Sequence, residues 1–69
     1  MDIFKTRLKE LRLEHNADIL DLCKLLGIKE RAYRYYESGE RHPDFYGLIA
    51  LADFFEVSLD YLVGRSDKR

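Results

Sequence analysis

Apolar residues recur along the chain with the period of an α-helix, and polar residues fill the positions between them. Ile3, Phe4, Leu8 and Leu11 lie on one stripe, with Lys5, Lys9, Glu10 and Glu14 around it, so a first helix is expected over residues 2–14. Asp18 has the short acceptor side chain of an N-cap, and Asp21 puts acid in the turn behind it. A second helix then covers residues 18–25, with Ile19, Leu22, Cys23 and Leu26 on one face. Gly27 stands where a helix closes in a left-handed cap. A third helix over 29–37 turns Tyr33 and Tyr36 inward and ends at Ser38-Gly39. Glu40-Arg41-His42-Pro43 is a loop, and Asp44 caps a fourth helix over 45–55, with Leu48, Leu51, Ala52 and Phe55 inward. Val57 bridges a turn. Ser58 caps a fifth helix over 59–63, with Leu59 and Leu62 inward, and Gly64 stops it. No stretch alternates with period two for long enough to make a strand. The pattern predicts an all-α, compact five-helix domain.

Length and composition narrow the function. At 69 residues the chain is one domain with one core, burying only about 60% of its unfolded surface. Residues 5–64 carry the core pattern, and 65–69 read as a polar tail. Cys23 is the single cysteine and cannot pair within the chain. A lone thiol suits a reducing compartment, so a cytoplasmic protein is expected. His15, Cys23 and His42 lack metal-ligand spacing, and no metal or cofactor is expected. The start of the chain lacks a secretory pattern. The most apolar stretch, 45–63, is interrupted by Asp53, Glu56 and Asp60, so no membrane association is expected. There is no catalytic triad, no cysteine–histidine arrangement and no glycine-rich phosphate loop, and the domain is too small for a sizeable pocket. Neither an enzyme nor a small-molecule binder is expected. Net charge is −1 but uneven: +1 over residues 1–41, −4 over 42–64 and +2 over 65–69. Charge alone is explained by a solvated mixed surface.

Residues 18–38 are more informative. Two helices of about eight residues are joined by a turn containing glycine. This is the spacing of a helix-turn-helix, in which the first helix braces the second and one face of the second stays free. Cys23 is small where the two helices cross, and Gly27 sits at the sharp turn. A generic helical hairpin shares parts of this pattern.

Four blocks carry a family resemblance: Arg7-Leu8-Lys9-Glu10-Leu11-Arg12, Leu26-Gly27-Ile28, Tyr36-Glu37-Ser38-Gly39-Glu40-Arg41-His42-Pro43, and the run from Leu51-Ala52-Asp53-Phe54 to Leu62-Val63-Gly64. In this order they resemble the Cro/C1 phage-repressor type of helix-turn-helix domain, the Xre family, over about residues 5–64. The resemblance implies a five-helix, lambda-repressor-like fold. It implies a prokaryotic or phage regulator, usually a repressor, that binds double-stranded DNA as a homodimer on a pseudo-palindrome, with half-site centres about 10 bp apart or a multiple of that. It makes helix 3 the recognition helix, with Tyr33 in place of the usual isoleucine and Tyr36 matching a family tyrosine, both inward. Lys29, Glu30, Arg31, Arg34 and Tyr35 then face outward. Arg31 and Arg34 are suited to guanine, Glu30 to cytosine and Tyr35 to a thymine methyl. Ser38, Arg41 and the start of helix 2 are suited to phosphate. Arg12 and Glu37 match a charged pair that links helix 1 to the recognition helix. Read without the family, Glu30 and Arg34 form an ordinary i, i+4 surface pair.

Some positions depart from the family. Ile19 stands where the family has a phosphate-contacting glutamine, and Leu20 follows it, so neither can hydrogen-bond and one phosphate anchor is removed. Lys29-Glu30-Arg31-Ala32 replaces a Ser/Thr-rich opening of helix 3. Few basic residues are then left to face phosphates, so a monomer should bind weakly and dimerisation should be needed. Tyr46, Ala50 and Phe54 fall at i, i+4, i+8 on the outer face of helix 4. With Tyr61 they form a candidate dimer interface, or simply a broader core stripe. The alternative function is a protein-interaction module on the same scaffold, binding another regulator or a toxin through Ile19, Leu20 and Tyr35.

Overall fold

The computed structural model describes residues 2–69, with side chains from Ile3 onward. Among the described residues there are five helices and no strand: α1 (Asp2–Glu14), α2 (Ile19–Leu26), α3 (Glu30–Ser38), α4 (Phe45–Phe54) and α5 (Leu59–Val63). α2 and α3 begin and end one residue later than expected. Asp18 and Lys29 are extended cap residues outside their helices, and the helices run on until Gly27 and Gly39. The side-chain caps fall where the sequence placed them. Asp18 accepts from the Leu20 N–H, Asp44 from the Gly47 N–H at 2.8 Å and Ser58 from the Tyr61 N–H at 3.0 Å. Lys29 makes no side-chain cap, so the first N–H groups of α3 have no capping side chain.

Every helix is followed by a residue with positive φ: Asn16, Gly27, Gly39, Glu56 and Gly64. Glu56 has no special tolerance for that region. It is held there because the Glu56 N–H bonds the Asp53 carbonyl and the Val57 N–H bonds the Ala52 carbonyl at 2.9 Å. This closes the last turn of α4 and swings Val57 into the core.

α1 lies across α3 and α5, α2 packs on α3 and α4, and α4 packs on α5. Phe4, Leu8, Leu11, Leu22, Cys23, Tyr33, Leu51, Ala52, Phe55, Val57 and Leu62 form one buried core. Leu48 and Tyr36 pack against it partly exposed. Ile3 departs from the expected stripe. It is half exposed and lies over Gly64, where a Cβ would stand 2.7 Å from its Cγ2. Gly47 also answers to space, since a Cβ there would stand 2.8 Å from the Pro43 Cβ and 3.2 Å from Asp44 Oδ1, the capping atom. Glycine in the first turn of α4 lets the cap loop close over the helix start.

Residues 65–69 are not a loose tail. The Ser58 N–H bonds the Arg69 carbonyl at 2.8 Å, and Arg69 forms a two-pronged ion pair with Glu14 at 2.6 Å. The Arg7 guanidinium donates to the carbonyls of Tyr61 and Ser66 and to Asp67. The segment is thus strapped across α1 and α5. Its composition reads as solvated, but its charges match partners far away in sequence.

Candidate nucleic-acid interface

The site is built from the α2–turn–α3 unit. Gly27, at φ 67°, reverses the chain after α2, and Ile28 packs partly buried behind it. Cys23 is buried beside α3, and burial raises its thiol pKa, which leaves it an unreactive packing residue. Tyr33 is fully buried and its ring meets that of Tyr36 edge to face at 6.4 Å. These contacts turn one face of α3 into the core and leave the other to solvent.

The buried face is also fixed by a polar triad. Arg12 Nε donates to Glu37 Oε2 at 2.6 Å and Arg12 Nη2 to Glu37 Oε1 at 3.0 Å. The Tyr33 hydroxyl donates to the same Oε2 at 2.6 Å. Burial pushes the Glu37 pKa up, but the hydrogen bonds from Arg12 and Tyr33, with the Arg12 charge, outweigh it and hold the carboxyl below its ordinary value. Burial, followed by the neighbouring Glu37, raises the Tyr33 pKa, so the hydroxyl stays a donor. The ion pair anticipated between α1 and α3 is therefore present. Its third member is missed by a purely apolar reading of Tyr33.

On the open face, Lys29, Glu30, Arg31, Arg34 and Ser38 are exposed and Tyr35 is partly so. Arg34 pairs with Glu30 one turn back. Both are well exposed, and such a pair contributes a few tenths of a kcal/mol, so a phosphate or base edge can displace it. Arg31 Nε donates to the Tyr35 hydroxyl at 3.2 Å. Arg41, from the loop after α3, lies 5.0 Å from the centre of the same ring. Lys29, Arg31, Ala32, Tyr35 and Arg41 line one shallow hollow. Among the described residues, Lys29, Arg31 and Arg41 form no ion pair, whereas Arg7, Arg12, Arg34 and Arg69 do. Ser38 turns its hydroxyl back to the Tyr35 carbonyl and accepts from the Glu40 N–H, tightening the end of α3.

A second hollow beside α3 is lined by Lys9, Arg12, Ile19, Tyr33, Arg34, Glu37 and Ser38. It brings in Lys9, which the sequence reading left among the polar spacers, and Lys5 reaches over Gly39 at the end of α3. The signal was available: positions 5, 9 and 12 share one face of α1, and Arg12 already pointed at α3. Ile19 packs partly buried against the core in this hollow, Leu20 is exposed, and Tyr35 lines the other hollow.

On α4, Tyr46 is 78% and Phe54 43% exposed, with Ala50 partly exposed between them. Phe45, not singled out from the sequence, is 60% exposed and meets Tyr46 edge to face at 5.6 Å. Tyr61 does not extend this patch as a free apolar surface. Its ring lies between the guanidinium groups of Arg7, at 4.0 Å, and Arg69, at 5.3 Å. The sequence carries no signal of this, because both arginines come from distant segments.

A braced helix presenting one free basic face, set at a glycine turn behind a supporting helix, defines a helix-turn-helix domain. The family comparison agrees: the helix-turn-helix model matches residues 8–62, and the chain belongs to this family, in its Cro/C1 type. It is 41% identical over 63 residues to the HTH-type transcriptional regulator AnsR of Bacillus subtilis, which covers 91% of this chain and 54% of that protein. It is 38% identical over 61 residues to the cryptic phage CTXphi transcriptional repressor RstR of Vibrio cholerae, covering 88% of this chain and 54% of that protein. The fold superposes on the crystal structure of a transcriptional regulator from Listeria innocua with a TM-score of 0.86 and 38% identity, over 96% of this chain and 62% of that one. The chain spans about half the length of the curated relatives it matches. Regulators of this family are DNA-binding proteins and not enzymes. Among the described residues, no helix is long and apolar enough to cross a membrane, and no group of His, Cys, Asp and Glu could hold a metal ion.

Proposed function

We propose that this chain is the DNA-binding domain of a transcriptional regulator, that it binds a pseudo-palindromic operator as a homodimer, and that it represses by occupying the site. α3 of each protomer enters the major groove of one half-site. Arg31 and Arg34 read base edges, with Glu30 and Tyr35 beside them, while Lys29, Ser38 and Arg41 hold the backbone. The observation that carries this reading is the open face of α3 with the loop after it, where among the described residues Lys29, Arg31 and Arg41 form no ion pair, while the opposite face is locked by the Arg12–Glu37–Tyr33 triad. A rigid helix with unneutralised cations suits a polyanion, because each phosphate contact releases counterions.

The dimer reading rests on the outer face of α4, where Phe45, Tyr46, Ala50 and Phe54 form an aromatic surface unusual on so small a domain. The backbone measures 29 × 22 × 21 Å. Two such bodies fit side by side on half-sites one helical turn, about 34 Å, apart. Fluorescence anisotropy of a labelled duplex, titrated with protein between about 50 and 200 mM salt, tests the DNA reading. Affinity is expected to fall by about two or more orders of magnitude. A salt-independent affinity would contradict it.

A further inference from the structure

Tyr35 is the one aromatic side chain on the open face of α3, and both arginines around it lean on it. Arg31 Nε donates to its hydroxyl at 3.2 Å, and the Arg31 guanidinium carbon lies 5.9 Å from its ring centre. Arg41 approaches the ring at 5.0 Å. Arg31 and Arg41 belong to different segments, one in α3 and one in the loop after it, so nothing in the helix itself brings them together. Among the described residues neither has a carboxylate to hold it. A free arginine side chain carries about 2 kcal/mol of rotamer entropy, and a tether that restricts it before binding lowers the cost of ordering it on DNA.

The way Arg31 is tethered has a consequence for chemistry. Arginine has donors on two edges. With Nε given to the Tyr35 hydroxyl, the fork of Nη1 and Nη2 remains, and this end-on fork matches guanine O6 and N7. Resting on our reading of α3 as the DNA-contacting helix, we propose that Tyr35 is a positioning residue for base readout: it fixes Arg31 in the end-on orientation that selects guanine and holds Arg41 alongside for the phosphate backbone. Tyr35 thereby sets specificity through the guanidinium it holds, and not through packing on thymine.

The proposal separates the hydroxyl from the ring. Tyr35→Phe keeps the ring beside Arg41 and removes only the tether on Arg31. Tyr35→Ala removes both. The probe is the duplex site that the wild-type protein selects from a random pool, together with variants of it in which each base pair is changed in turn and a duplex lacking the site. For Tyr35→Phe, discrimination is expected to fall about three- to tenfold at one base pair per half-site, the base pair at which Arg31→Ala also relaxes preference. The thermal midpoint stays as in wild type. Tyr35→Ala is expected to weaken binding to every duplex as well, because Arg41 loses its support. Unchanged discrimination in Tyr35→Phe overturns the proposal, as does a loss spread over base pairs that Arg31→Ala does not affect. If the wild-type protein selects no duplex site, the DNA reading itself fails, and that outcome is distinct from selection that survives Tyr35→Phe.

Discussion

At the residue scale, Glu37 and Glu56 carry the clearest expectations. Against its burial, the hydrogen bonds from Arg12 and Tyr33 hold the Glu37 pKa down in the folded chain, so its contribution is complete above its unfolded value near 4.3 and is lost as pH falls through the folded value. Wild-type stability should therefore drop as the pH falls below about 4. Glu37→Gln should cost about 1–3 kcal/mol at neutral pH and should flatten that part of the acid limb. Denaturant titrations of both proteins between pH 2 and 7 would show it; parallel acid limbs would count against the triad. Glu56 sits at φ 56°, a conformation that costs a non-glycine residue about 1–2 kcal/mol. Glu56→Gly should therefore stabilise the domain by about 1 kcal/mol, raising the midpoint by roughly 4–8 °C for a chain of this size. A lower midpoint would show that the glutamate side chain makes up for its backbone. The Glu37 ion pair was legible by resemblance, whereas its third member and the Glu56 conformation were not. Arg12 and Glu37 were identified by resemblance, but Tyr33, one turn before Glu37 on α3, was read only as an inward aromatic ring and not as a donor. A positive φ at glutamate has no composition signal.

At the element scale, the helices were legible because their signals are local. Asp18, Asp44 and Ser58 cap where short acceptor side chains precede apolar periodicity, and Gly27 ends α2 as its position required. Lys29 was misplaced by one position because its side chain cannot accept a hydrogen bond, so no cap signal marked the start of α3. Gly47 stands in a helix, where glycine is a cost by propensity alone. Its reason lies in the fold of the cap loop back over α4. Gly47→Ala should thus lower stability, by about 1 kcal/mol net, although alanine is favoured over glycine in a helix by nearly that amount. Thermal unfolding followed by circular dichroism decides this; a rise in midpoint would mean that Pro43 and Asp44 shift freely.

At the scale of the whole molecule, contacts between distant segments were the least legible. Residues 65–69 carry three cations and one acid, which says nothing of their docking on Glu14, Ser58 and Arg7. Arg7 is the centre of that strap, with its side chain only 14% exposed. Arg7→Ala should cost about 1–2 kcal/mol. It should also remove most of the further effect of deleting residues 66–69, since the two changes break the same contacts. Additive losses in a double-variant cycle would show that the strap is held elsewhere. The aromatic face of α4 was placed correctly on the outside, because helical register alone decides it, whereas Tyr61 was claimed by arginines that only the fold brings near. Phe54→Lys together with Tyr46→Lys should convert a dimer to a monomer in sedimentation with the fold retained. An unchanged sedimentation coefficient for the double variant would remove that face as the interface.

On the proposed reading, the exposed face of α3 reads duplex DNA. The most direct test is selection from a pool of random duplexes with purified protein, run in parallel with Arg31→Ala/Arg34→Ala. Both side chains are exposed, so the double variant should fold as wild type does. The expected result is enrichment of a two-fold-symmetric site, with half-sites separated by about 10 bp or a multiple, that the double variant fails to enrich. Failure of the wild-type protein to enrich any sequence, or enrichment of the same site by the double variant, would contradict it.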